Sequence, residues 1–129
     1  MSRTQELQAA FRRAAAAIDP ATSPQTAPDP RLVRAWLTVQ SVRTQPRWLA
    51  AAEQAGQDVA SGRRAVPDAD VAEWVLACCA GWVQRASGPF RAAADVLLPR
   101  LGDSVQAVPA LLAWWRITGK RAPLERALG

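Results

Sequence analysis

The sequence predicts an all-α fold: a compact bundle of about six helices with one long proline-rich loop after the first helix. Two observations carry this. Apolar residues recur at intervals of three and four along most of the chain, and Val and Ile nowhere alternate with polar residues over a useful length. Most prolines and glycines fall between the periodic stretches, where they read as turns. With 129 residues, half of them hydrophobic, the chain has the length of one domain and enough apolar material for a core. Residues 1–129 are therefore expected to form a single helical domain.

Leu7, Phe11, Ala14 and Ile18 place an amphipathic helix over residues 3–18. Residues 19–30, DPATSPQTAPDP, carry four prolines and read as an extended linker or mobile loop. Asp29-Pro30 is a helix start, with Asp as cap and Pro at the first helical position. Leu32, Val33, Trp36 and Leu37 then share a stripe. Pro46 restarts the chain into a helix whose stripe, Trp48, Ala52, Ala55 and Val59, is narrow enough to admit a close neighbour. Gly62 ends it, and Arg63-Arg64 follow in a turn. Asp70 and Glu73 offer a capping box for a helix over about residues 70–87, apolar around most of its circumference and hence central. Gly88-Pro89 opens a helix bearing Phe90, Ala94, Leu97 and Leu101, which Pro99 ends near Leu98. Asp103 caps a last helix through about Thr118, with Gly119 as terminator and Pro109 blurring its start. Residues 119–129 are expected to form a basic C-terminal tail or short helix, with Pro123 opening a final turn.

The composition excludes much chemistry. Histidine is absent, which removes the commonest general base and metal ligand. Two cysteines, Cys78 and Cys79, cannot build a standard zinc site alone, and as helix neighbours they point about 100° apart, away from disulfide geometry. They read as small buried residues in a reducing compartment. No Gly-rich phosphate loop and no strand-turn-helix serine elbow occurs. Asp68, Asp70 and Glu73 lie where helix caps belong. No catalytic residue, metal site or cofactor is expected, and the protein is read as a non-enzyme. Its N-terminal helix lacks the apolar core of a signal peptide, and no apolar run reaches the ~18 residues that span a bilayer. A soluble cytoplasmic protein without a membrane partner is expected.

Sixteen cations stand against eleven carboxylates, a net charge of +5, and fifteen of the sixteen are arginine. Part of this follows the Ala, Arg and Pro bias of a GC-rich coding sequence, but the clustering does not. No carboxylate lies between Arg31 and Glu53, a stretch holding Arg31, Arg34, Arg43 and Arg47. None lies between Asp103 and Glu125, which holds Arg116, Lys120 and Arg121. With the turn residues Arg63 and Arg64, these nine are the candidate nucleic-acid contacts. Guanidinium groups grip phosphate in a fork and stack on aromatic faces.

Six tryptophans accompany them. At 100° per residue, Trp115 falls in the stripe of Val108, Leu111 and Leu112 and is expected in the core, with Trp114 at its border beside Ile117. Trp82 is expected in the core, Trp36 on its apolar stripe, Trp74 at the margin of its helix, and Trp48 at a helix start where its ring can lie across a neighbour. Trp48 and Trp114 are thus the candidate stacking or partner-contact residues. No helix-turn-helix with an exposed recognition helix is visible, so single-stranded RNA or DNA held by its backbone fits better than base-specific reading.

In size, basic charge, helix content and lack of catalytic motifs, the chain resembles the small subunits of CRISPR effector complexes. That resemblance implies a non-catalytic subunit that lines a larger assembly and holds the target or displaced strand, with other protein subunits or copies of itself as partners. The alternative is a helical adaptor of phage or plasmid accessory type, whose border tryptophans contact a protein.

Overall fold

The computed structural model describes residues 2–22, 28–85, 88–102 and 105–119. Among these the chain forms six α-helices and two short 3-10 turns, with no strand. The helices are α1 (Arg3–Ile18), α2 (Pro30–Val42), α3 (Pro46–Ala60), α4 (Val71–Arg85), α5 (Gly88–Leu97) and α6 (Ala107–Thr118). The all-α bundle expected from the periodicity is the observed fold. None of the described helices is long and apolar enough to cross a membrane.

Local chemistry sets the ends. Ser2 accepts from the Gln5 N–H at 3.2 Å while the Gln5 side chain accepts from the Ser2 N–H at 2.9 Å, a complete capping box. Asp29 accepts from the Leu32 N–H at 2.9 Å, with Pro30 at the first position of α2. Gly62 and Gly119 take the left-handed φ, 79° and 69°, that ends a helix cheaply only at glycine. Pro109 lies in the first turn of α6, where no amide has a partner within the helix, and so does not break it. Pro99 sits in the 3-10 turn Leu98–Arg100 that follows α5. Residues 68–70 form the other 3-10 turn, so α4 begins at Val71, and Glu73 reaches across to Arg34 on α2 at 3.0 Å. The Asp103 cap, Pro123 and the tail from residue 120 onward lie outside the described residues, as do residues 23–27 of the proline-rich loop. The flanks of that loop are docked: Asp19 pairs with Arg47, and Pro28 is buried.

α4 is the central helix, as its nearly all-round apolar surface requires, and packs against α2, α5 and α6. α3 lies between α2 and α5. α1 stands outside this group and packs chiefly on α2. Its latch is the indole N–H of Trp36, which donates to the Ile18 carbonyl at 2.7 Å. Gln84 on α4 similarly donates to the Leu37 carbonyl on α2.

The tightest junction is at Phe90 of α5. Its ring lies against Gly56 of α3 and Gly81 of α4. A Cβ at Gly56 would sit at 3.4 Å from the ring, an ordinary contact, but one at Gly81 would overlap it. Absence of a side chain at Gly81 lets α4 and α5 close on the ring, which is almost wholly buried. Full burial of such a side chain is worth about 1.5–3 kcal/mol.

The phase of α6 corrects the expected order of its two tryptophans. The buried residues are Ala107, Ala110, Leu111 and Trp114, while Trp115 is half-buried and Val108 is 46 % exposed. α6 has two apolar stripes, one through Ala107, Ala110, Leu111 and Trp114, the other through Val108, Leu112 and Trp115. Small alanines let the first approach α4 closely, and the Trp114 ring meets the edge of Trp82 at 5.8 Å between centroids. The bulkier stripe therefore faces outward. Trp74, expected at a margin, is buried, and Trp82, expected in the core, is only partly so.

Two consequences are measurable by urea denaturation. Gly81→Ala is expected to destabilise the protein by about 1–3 kcal/mol, overlap with Phe90 outweighing the usual helical gain of alanine over glycine. Gly88→Ala, where nothing lies within 4 Å, is the neutral control. Trp114→Ala is expected to cost about 3–5 kcal/mol and Trp115→Ala clearly less. The reverse order would place the outward stripe inside.

Candidate nucleic-acid interface

The nine predicted cations divide by what already neutralises them. Arg47 leaves the first turn of α3 and is clamped on two sides. Its Nε and Nη2 donate to the Asp19 carboxylate at 2.9 and 2.7 Å, and its guanidinium lies over the Trp48 ring at 5.0 Å. The Asp19 carboxyl is held below its ordinary pKa by the Arg47 hydrogen bond and then by the Ala21 N–H, which donates at 2.9 Å. Arg34 pairs with Glu73. Arg64 is half-buried, with its guanidinium over Trp74 at 5.4 Å and with Nε and Nη1 enclosed and without a hydrogen-bond partner. These three hold loops and helices together.

Arg31, Arg43, Arg63 and Arg116 are exposed, with no carboxylate at ion-pair distance among the described residues. Arg31 and Arg43 lie near the two ends of α2, Arg63 in the turn after α3, and Arg116 in the last turn of α6. Lys120 and Arg121 lie outside the described residues. The structure brings Arg63 and Arg64 to one cleft of about 410 Å³, shared with Asp58 and Asp70. It brings Arg43 to another, of about 920 Å³, beside Arg12 of α1.

Both tryptophans expected at the surface are buried. Trp48 and Trp114 are each 2 % exposed, so neither ring offers a face to a base from outside. Trp48 begins its helix beneath Arg47, which covers it, and its indole N–H has no hydrogen-bond partner. The partly exposed rings are Trp82 and Trp115. Trp82 carries Arg91 over its face at 5.5 Å, a pair absent from the sequence-based expectation. Residues 82 and 91 belong to different helices, so only the crossing of α4 and α5 joins them. Arg12 is not among the sequence-derived candidates for a related reason: its helix reads as an alanine-rich surface helix, and only the packing of α1 on α2 brings Arg43 to the same cleft.

Both cysteines are buried thiols without a disulfide. Burial pushes Cys79 up to about 11, and burial together with the neighbouring Cys79 pushes Cys78 still higher, so neither is a ready thiolate near neutral pH. Among the described residues no three potential metal ligands cluster.

The Asp19–Arg47 pair has a testable pH signature. A carboxyl whose folded pKa is depressed adds stability that is fully present above its unfolded pKa of about 3.9 and is lost as pH falls through the folded value. Asp19→Asn, which keeps an acceptor for Ala21, is therefore expected to melt lower than the unaltered protein at pH 7. The gap is expected to close as the pH falls below about 4. A gap unchanged down to the acid limb of thermal melts would mean that the charge of Asp19 contributes nothing. Comparison of the chain with family models, curated proteins and solved structures returns no match.

Proposed function

We propose that the chain is a non-catalytic subunit of a larger cytoplasmic assembly that holds single-stranded RNA or DNA by its backbone, in the manner of the CRISPR small subunits it resembles. The observation that supports this reading is the set of four exposed arginines, Arg31, Arg43, Arg63 and Arg116, with no carboxylate at ion-pair distance among the described residues. Such side chains reach phosphate without first breaking an internal pair, and the net charge of +5 draws a polyanion to the surface. Arg34 and Arg47 are spent on Glu73 and Asp19 and are assigned a structural part. Arg64, Lys120 and Arg121 remain candidate contacts, Arg64 by the outer edge of its guanidinium. Any stacking on bases falls to Trp82 and Trp115, the rings with exposed surface.

The test is a fluorescence-anisotropy titration of single-stranded and duplex oligonucleotides at several salt concentrations. Three or four arginines engaged at about 0.7 released ions each give an expected log–log slope near −2 to −3 on a single strand. Arg31→Ala, Arg43→Ala, Arg63→Ala and Arg116→Ala are each expected to flatten it by less than one unit, for all sequences alike. Arg47→Ala is expected to lower stability and leave the slope nearly unchanged. Absence of binding to both oligonucleotides at low salt would remove the protein from the nucleic-acid class. The adaptor reading would then lead, supported by the apolar cleft beside α1 rather than by buried Trp48 and Trp114.

A further inference from the structure

The cleft of about 920 Å³ between α1 and the C-terminal end of α2 is the largest of the described clefts that combine apolar and charged walls. Its floor and sides are Leu7, Ala10, Phe11 and Ala14 from α1 and Val42 from α2. Leu7 is 65 % exposed and Val42 is 69 % exposed, two of the six exposed large apolar side chains among the described residues. Arg12 and Arg43 stand at the rim, both exposed and without a carboxylate at ion-pair distance among the described residues. α1 packs chiefly on α2, its latch to Trp36 is at Ile18, and the ion pair of Asp19 lies just beyond, so these polar ties act at the end of the helix away from Leu7.

We propose that this cleft is a docking groove for an acidic amphipathic helix of a partner protein, its apolar face set against Leu7, Phe11 and Val42 and its flanking carboxylates against Arg12 and Arg43. This goes beyond strand binding and uses different side chains except Arg43. The shape selects a helix: two helices form the walls of an open trough, and apolar anchors at intervals of three and four fill such a groove. The charge selects the acid. A second copy of the chain would bring its own Arg12 and Arg43 onto the same two residues, because a two-fold contact sets a patch against itself. Like charges so placed oppose association. Against a bilayer, the alanines of α1 add little to insertion. Nucleic acid has no use for the apolar floor.

The test uses the full chain and two designed helical peptides, identical in their leucines at i, i+3, i+4 and i+7, one flanked by glutamates and the other by lysines. Anisotropy is expected to show the glutamate peptide binding at least about tenfold more tightly than the lysine peptide. Leu7→Ser with Val42→Ser is expected to weaken it by about tenfold or more, a usual loss when anchors are removed, while both altered positions are open to solvent and leave the fold intact. The double variant is expected to keep the salt-dependent oligonucleotide affinity of the unaltered chain, which separates this groove from the strand-binding surface. Arg12→Glu with Arg43→Glu is expected to reverse the preference toward the lysine peptide. Equal affinity for the two peptides, no binding of the glutamate peptide, or binding indifferent to Leu7→Ser and Val42→Ser would overturn the proposal. Tighter binding to phosphatidylglycerol vesicles than to the glutamate peptide, lost in the same double variant, would also overturn it and make the groove a membrane contact.

Discussion

The bundle depends on the place where Phe90 closes against two glycines. Its ring touches Gly56 on α3 and Gly81 on α4, so one side chain sets the spacing of three helices. Gly81 is the strict partner, because any Cβ there would occupy the ring's own volume. Once α5 is seated, α4 is held between it and α2, and its opposite flank is left to α6. The buried residues that follow, including Val75, Cys78, Ala93, Ala94 and Leu97, form one continuous core around that junction. A glycine in mid-helix usually weakens the helix. Here the loss is offset by the close approach it permits.

Helix starts and stops were readable wherever a local chemical rule decides them. Asp29-Pro30, Pro46, Gly62, Gly119 and the proline after Leu98 all lie at observed boundaries. The stripes of α2, α3 and α5 were readable because each helix has one apolar face. α6 has two, and periodicity cannot choose between them. The choice was made by alanines at 107 and 110, whose small size matters only once α4 is adjacent. The same limit applies to charge. A stretch without carboxylates reads as free of internal pairing, yet Arg34 and Arg47 pair with Glu73 and Asp19 far along the chain. Spacing in sequence says which charges cluster; only the fold says which are already answered.

The arginines consequently perform three tasks with one chemistry. Some tie separate segments together, as Arg100 ties the turn after α5 to the Val66 carbonyl and Asp68 before α4. Others lie over indole rings that would otherwise face water, as Arg47, Arg64 and Arg91 do over Trp48, Trp74 and Trp82. Others, Arg31, Arg43, Arg63 and Arg116 among the described residues, have no carboxylate at ion-pair distance. Lysine would serve the first two tasks poorly, since it lacks the planar fork that bridges a carboxylate and covers a ring at once. The near absence of lysine from a chain with sixteen cations thus has a structural use besides any coding bias.

The attachment of α1 has a consequence for how the molecule opens. Both of its polar ties, Trp36 to the Ile18 carbonyl and Arg47 to Asp19, act at one end of the helix. The other end is stabilised mainly by its own capping box at Ser2 and Gln5. Detaching the helix exposes little of the core, to which it contributes one buried residue, Ala15. α1 is thus expected to open as a separable cooperative unit, its amides exchanging with solvent through a local excursion that leaves the Phe90 junction closed. An arm that lifts without unfolding the body can search for a partner and then be pinned by it, at a cost far below that of opening the bundle.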